Sequence, residues 1–193
     1  MDDAWLVVGL GNPGPSYARS LHNVGYLVCD VLADRLGSTW RAHRSGRAQV
    51  IEGRLPPLPG PRVVIGRARS YMNESGGPVA GLLAFYKVPP ERLVVVHDEL
   101  DLPPGSLRLK LGGGDNGHNG LRSIRASLGT GDFHRVRVGV GRPLGGRSPA
   151  DHVLAALGRA DYAALTAAAE RAADAVETLV HQGLAHAQQT FNN

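Results

Sequence analysis

Trp5-Leu6-Val7-Val8-Gly9-Leu10-Gly11-Asn12-Pro13-Gly14 is a short apolar run that ends in glycines and a proline. Four to six consecutive apolar residues bounded by turn formers read as a buried strand. Val24, Leu27, Val28, Val31, Leu32 and Leu36 follow with helical spacing, and Gly37 stands where a helix would stop. Strand followed by helix is the unit of α/β proteins, and the rest of the chain repeats it. Ala48–Ile51, Arg62–Ile65, Leu93–Val96, Leu107–Leu111 and Val136–Val140 read as strands. Leu55 to Pro61 is a Pro/Gly-rich loop. Pro78 to Val88 and Asn119 to Leu128 read as helices, and Leu165, Ala168, Ala172, Val176, Leu179 and Val180 mark a final one. Its other face, Glu170, Asp174, Glu177 and His181, reads as solvated. Residues 183–193 read as a tail, Gly141 to Pro149 as a loop, and Gly112 to Gly120 as the loop best suited to move.

With 193 residues, 42% hydrophobic and 20% charged, the chain fits one globular domain over 1–193. No apolar run approaches the roughly 20 residues of a membrane span. The acidic start does not resemble a signal peptide, so the expectation is a cytoplasmic protein. A single cysteine, Cys29, excludes an internal disulfide and a cysteine-rich zinc site. Its position suggests the edge of a helical stripe, in a packing role. Ten aromatics disfavour a stacking platform for single strands.

The net charge of +4 is unevenly distributed. Residues 35–69 carry eight arginines against Glu52, and residues 104–147 carry eight bases against Asp115 and Asp132. The three remaining blocks are each acidic. Arginine-rich blocks suit phosphates, whose oxygens match the guanidinium fork.

Gly9-x-Gly11-x-x-Gly14 formally matches a dinucleotide fingerprint, but Pro13 removes a backbone donor where a pyrophosphate would sit. The acid that should bind the ribose falls on a helix, as Asp30 or Asp34. No phosphate-loop or nucleophile-elbow motif occurs. What remains at carboxyl ends of strands is Asn12, His97-Asp98-Glu99 and Tyr71-Met72-Asn73, joined by His22-Asn23 and His118-Asn119. Amides and imidazoles at such junctions can hold a polar substrate and a water. Each asparagine taken alone reads first as a turn or cap, Asn119 as the cap of its helix.

Five segments carry a resemblance across most of the chain: GLGNPGPSYARSLHN (9–23), YMNESG (71–76), HDELDLPPG (97–105), KLGGGDNGHNGLRSI (110–124) and FHRVRVGVGRP (133–143). In this order they resemble the bacterial peptidyl-tRNA hydrolase family. The resemblance implies a monomeric α/β domain with a twisted, mostly parallel mixed sheet flanked by helices on both faces. It implies hydrolysis of the ester between a peptide and the 3′-terminal ribose of tRNA, with no cofactor and no metal. It marks His22 as general base, Asp98 as its partner and Asn12 as a catalytic contact. Tyr17, Met72, Asn73, His118 and Asn119 match positions linked to substrate binding, Tyr71 is a further candidate contact beside Met72, and Lys110 and Arg137 match a pair that grips the tRNA 5′-phosphate. Alternation places Arg108 and Lys110, and likewise Arg135 and Arg137, on common strand faces directed at solvent or ligand. Ser20-Leu21 and Ser70-Tyr71 depart from the family pattern, Leu21 removing one phosphate-facing charge. A non-catalytic RNA-binding relative is the alternative, and retention of His22, Asp98 and the three asparagines weighs against it. The basic blocks weigh against an unrelated amidohydrolase.

Overall fold

The computed structural model describes residues 3–192. Its centre is a seven-stranded sheet made of β1 (Trp5–Gly9), β2 (Arg41–Ala42), β3 (Ala48–Arg54), β4 (Arg62–Ala68), β5 (Leu93–Glu99), β6 (Leu107–Leu111) and β7 (His134–Gly139), in the order β2-β3-β4-β1-β5-β7-β6. The four middle strands, β4, β1, β5 and β7, run parallel. β3 and β2 pair antiparallel on one side and β6 on the other. The sheet is therefore mixed with a parallel centre, as expected for an α/β domain.

Among the described residues, six α-helices complete the domain: α1 (Val24–Arg35), α2 (Gly76–Tyr86), α3 (Asn119–Leu128), α4 (Pro149–Leu154), α5 (Arg159–Gln182) and α6 (Leu184–Phe191). Among the described residues, no helix is long and apolar enough to cross a membrane. Side chains alternate along the central strands, so each strand feeds both faces. Val7, Val94 and Val96 pack with α1, α5 and α6. Leu6, Val8, Leu93 and Val95 pack with α2 and α3. Cys29 is fully buried in the first of these cores, inside the stripe instead of at its edge. The acidic face of α5 is not simply solvated: Arg35 of α1 pairs with Glu170, Asp174 and Glu177, one helical turn apart.

α2 begins two residues earlier than its apolar pattern suggests and stops at Lys87, which takes a left-handed conformation before Pro89-Pro90. The segment read as a tail forms α6 and lies against the edge strand β6. There Asn192 Oδ1 accepts from Leu109 N at 2.7 Å, and Asn192 Nδ2 and Gln188 Nε2 donate to Leu109 O. These bonds pair backbone groups that an edge strand would otherwise expose.

The glycines of the opening segment seat α1. A Cβ at Gly25 would lie 2.5 Å from Val96 O and nearer still to Leu10 N, and one at Gly9 would collide with the Gly25 carbonyl. Leu10 N donates to Val96 O at 3.0 Å, so Gly25 rests directly on the hydrogen bond that joins the ends of β1 and β5. Gly25→Ala should destabilise the fold by about 3 kcal/mol, the upper range for an overpacked core. That exceeds the ~1 kcal/mol that alanine gains in helix propensity. Chemical denaturation tests this, and a variant as stable as the parent would contradict the close approach.

Candidate active site

Asp98, next to last in β5, is buried, with 3% of its side chain exposed. Burial alone would raise its pKa, but His118 and His22 outweigh it and hold the carboxyl well below the usual carboxylate range. His22 lies in the short 3-10 turn Leu21–Asn23 that leads into α1, and its Nδ1 meets Asp98 Oδ2 at 2.9 Å and Oδ1 at 3.0 Å. His118 Nε2 meets Asp98 Oδ1 at 2.8 Å. The two imidazoles stand 5.0 Å apart, centroid to centroid.

The backbone assigns the proton on His118. Its Nδ1 accepts from Gly120 N at 3.1 Å and Leu121 N at 3.4 Å, so Nε2 carries the hydrogen and donates to Asp98. His118 is thereby the N-cap of α3, a position the sequence reading offered to Asn119. An ionised Asp98 accepts the Nδ1–H of His22 in the same way, which leaves His22 Nε2 with a lone pair. No described residue hydrogen-bonds that nitrogen, and His22 lines a cleft of about 150 Å³ with Asp98, Glu99, Asn116, His118 and Asn119.

Behind this pair sits His97, a buried residue absent from the expected site. Its Nδ1 donates to the Asp98 carbonyl at 2.8 Å. Burial, then the neighbouring His118, pushes its pKa down to about 3, so it remains a neutral ring at 5.1 Å from His118.

Asn12 is held from three sides. Its N–H donates to Asn23 Oδ1 at 2.8 Å, its carbonyl accepts from Asn23 Nδ2 at 2.9 Å, and its Oδ1 accepts from Met72 N at 2.7 Å. Orientation of the amide is thus settled by the backbone N–H of Met72, and Nδ2 is left as a donor without a described partner. Asn23, which follows His22 directly, had no assigned role in the sequence reading. Met72 is buried, while Asn73 and Asn119 are exposed. Tyr17 and Tyr71 meet edge to face, with centroids 6.5 Å apart. Leu21 is partly buried and packs against the α1/α5 core.

Lys110 and Arg137 do come together. Arg108 lies opposite Arg137, and Lys110 opposite Arg135, across β6 and β7, so all four cations share one sheet face. Lys110 is half-buried, and burial, then Arg137 and Arg135, lower its pKa. Arg137 Nε lies 3.4 Å from Glu99 Oε2. Arg135 departs from the expectation that all four reach solvent or ligand: it is buried and turns into the glycine loop, donating to Gly113 O at 2.8 Å, to Gly131 O at 3.1 Å and to Gly114 O. Strand alternation gave its face correctly. The carbonyls of a loop about 20 residues earlier in the chain then captured its guanidinium.

His22, Asp98 and His118 are also, among the described residues, the group of three potential metal ligands whose donor atoms fall within 4.8 Å of one another. In the hydrogen-bonded arrangement the two nitrogens facing Asp98 are proton donors, so the carboxylate is satisfied by N–H groups.

The family model described as peptidyl-tRNA hydrolase matches residues 6–193. A protein of Streptomyces coelicolor named peptidyl-tRNA hydrolase is 55% identical over 98% of this chain and 95% of its own length. One of Mycolicibacterium smegmatis bearing the same name is 54% identical over 100% and 99%. A crystal structure of peptidyl-tRNA hydrolase from Acinetobacter baumannii, 36% identical, superposes with a TM-score of 0.85, covering 100% of this chain and 94% of that one. A full-length family match, relatives above half identity and a shared fold agree: the chain belongs to the peptidyl-tRNA hydrolase family.

Proposed function

We propose that this chain hydrolyses the ester between a peptide's C-terminal carboxyl and the 3′-terminal ribose of tRNA, using a water activated by His22. The observation that carries this reading is the commitment of His22 Nδ1 to a buried, ionised Asp98, which leaves Nε2 as a base facing a cleft. Nε2 removes a proton from water as the water oxygen bonds to the ester carbonyl carbon. The carbonyl oxygen becomes an oxyanion, and Asn12 Nδ2 is the oriented donor available to it. Collapse breaks the bond to the ribose oxygen, and the imidazolium returns its proton to that leaving group. An alcohol leaves from an ester readily enough that a positioned imidazole suffices, without a covalent intermediate. Asn119 lines the cleft, Met72 meets Asn12 through its backbone N–H, and Tyr17 meets Tyr71 edge to face; with Asn73 these serve as contacts for the peptide and the terminal nucleotide.

Lys110 and Arg137 act as the pair that takes the 5′-phosphate. Clustered cations raise one another's attraction for an anion, and a phosphate relieves their mutual repulsion. Every group named lies on one chain, so a monomer suffices, and a substrate made by ribosomes places the work in the cytoplasm.

Three tests follow. His22→Ala should remain folded and release tRNA about 10²–10⁴-fold more slowly, the usual span for a lost general base. Asp98→Asn should cost less, about 10- to 10²-fold, because its amide sets a donor against one of two imidazole N–H groups without removing the base. Single-turnover release of tRNA from an N-acetyl-aminoacyl-tRNA reads both, and more than a tenth of parental rate in His22→Ala would rule out the assignment.

Exhaustive treatment with EDTA should leave the rate unchanged, because each proposed step uses only side chains and water. Activity lost to the chelator and restored by stoichiometric zinc would instead give the His22–Asp98–His118 group to a metal.

Lys110→Ala and Arg137→Ala should each raise KM for full-length substrate with kcat nearly constant, since a remote phosphate contact binds ground and transition states alike. Each should also flatten the salt dependence of KM by about one counterion. An N-acetyl-aminoacyl ester of adenosine lacks the 5′-phosphate and should be cleaved equally by variants and parent. Equal losses on both substrates would remove the phosphate role.

A further inference from the structure

Asp98 and Glu99 are consecutive in β5 and both buried, yet they point to opposite faces of the sheet. Asp98 takes the two histidines. Glu99 takes three donors from elsewhere. Asn116 Nδ2 donates to Oε1 at 2.7 Å, Asp101 N to the same oxygen at 3.3 Å, and Arg137 Nε to Oε2 at 3.4 Å. Asn116 sits in the glycine loop with a left-handed φ of 48°, and its amide also donates to Asp101 Oδ2 at 2.7 Å. Two residues later the loop delivers His118 to Asp98, and His118 N is anchored on Asp115 O at 2.8 Å. Among the described residues, Glu99 is thus the one carboxylate hydrogen-bonded both to a residue of the phosphate pair and to the loop that carries His118 and Asn119.

We propose that Glu99 is a positioning residue that orients Arg137 by its Nε edge and, through Asn116, pins the glycine loop, so that the phosphate pair and the catalytic loop share one anchor. The link to phosphate rests on the reading of Lys110 and Arg137 given above. Because the bond uses Nε, both terminal nitrogens of Arg137 stay available to a ligand. Three donors converge on Glu99, so only an acceptor on both oxygens satisfies them. A glutamine of the same shape would set its own NH₂ against Asn116 or Arg137, breaking that tether, and its neutral oxygen would hold the other more weakly than a carboxylate does. The charge of Glu99 also opposes the repulsion that Arg137 and Arg135 exert on the Lys110 ammonium.

The test compares Glu99→Gln, Asn116→Ala, Arg137→Ala and the double variant Glu99→Gln/Arg137→Ala. The substrates are N-acetyl-aminoacyl-tRNA with its 5′-phosphate and an N-acetyl-aminoacyl ester of adenosine. Glu99→Gln should lower kcat about tenfold on both substrates, the scale of one lost charge-assisted hydrogen bond. It should also raise KM about fivefold, on full-length substrate alone, the scale of a weakened ion pair. Asn116→Ala, at an exposed loop position, should reproduce the fall in kcat without the rise in KM. Arg137→Ala should do the reverse, and the double variant should have no higher KM than Arg137→Ala. A purely structural role for Glu99 would not divide its effects between kcat and KM in this way. Unchanged kcat of Glu99→Gln on the adenosine ester, or KM effects that multiply in the double variant, would overturn the proposal while leaving the phosphate pair intact. An unchanged KM in Arg137→Ala would overturn the phosphate pair and the link with it. Should Glu99→Gln fail to fold, Asn116→Ala decides: full kcat on the adenosine ester would overturn the anchoring of the loop.

Discussion

Gly25 lies on the hydrogen bond between Leu10 N and Val96 O, and no side chain fits between them. This contact sets the depth of α1 against the carboxyl ends of β1 and β5, and the site follows from that depth. Three residues before Gly25 is His22, and two residues after Val96 is Asp98. Neither residue has to search for the other, because helix and strand are fixed within van der Waals contact at the intervening positions. The same approach brings Asn23 beside Asn12, where two hydrogen bonds between them close the loop that leaves β1. Even a methyl group at position 25 would lift the start of α1, lengthen the His22–Asp98 bonds and loosen Asn12 together.

Burying the Asp98 carboxylate is costly unless donors meet it, since a charge in a low-dielectric interior loses its hydration. Two imidazole N–H groups supply that compensation, and each is held by a different element. One comes from the turn before α1, and the other from the N-cap of α3, whose remaining nitrogen is occupied by two backbone N–H groups. The tautomers are therefore not free to exchange: His118 has no lone pair facing the carboxylate, and His22 keeps its lone pair on the side away from it. His97, neutral and packed behind, adds bulk without adding a competing charge. A base is made here by restricting which nitrogen carries the proton, which is a geometric matter settled by the fold.

The parts of the molecule legible in the sequence are those with a local signal. Apolar runs marked the central strands, and helical spacing marked α1 and α5, because burial repeats with the period of the element that produces it. α3 was read with its observed ends, Asn119 and Leu128, and Gly129 stops it with a positive φ of 70°. The site was legible only in part. His22 and Asp98 are 76 residues apart, and their pairing leaves no periodic trace. It entered through the family resemblance, as did the neighbourhood of Lys110 and Arg137. Asn23, Glu99 and Asn116 were given no role because each acts through a partner on another element, and His97, named beside Asp98, was given none because its part is to fill the space behind the pair. Arg135 was assigned to the right face and the wrong surroundings, since alternation says where a side chain starts and nothing about which carbonyls receive its end. The helix at Leu184–Phe191 was missed for a related reason: only Ala187 is fully buried in it, so its apolar stripe is too thin to read, and contacts with Leu109 hold it in place.

The glycine spacing at the end of β1 imitates a nucleotide-binding turn because both solve the same packing problem, a helix brought close to the strand that precedes it. In the dinucleotide case the helix starts within the glycine turn and its free N–H groups face the pyrophosphate. Here the chain leaves β1 through Pro13, makes a detour of about ten residues, and returns at Leu21–Asn23 to begin α1. The close contact is consequently divided between Gly9 on the strand and Gly25 inside the helix, instead of lying within one turn. The detour gives the site what a tight turn would leave no room for. Its first residue is Asn12, its outer part carries Tyr17 toward Tyr71, and its last turn presents an imidazole where the other fold would present backbone N–H groups. Moving the start of the helix away from the glycines turns an anion cradle into a position for a base, with the strand–helix packing left intact.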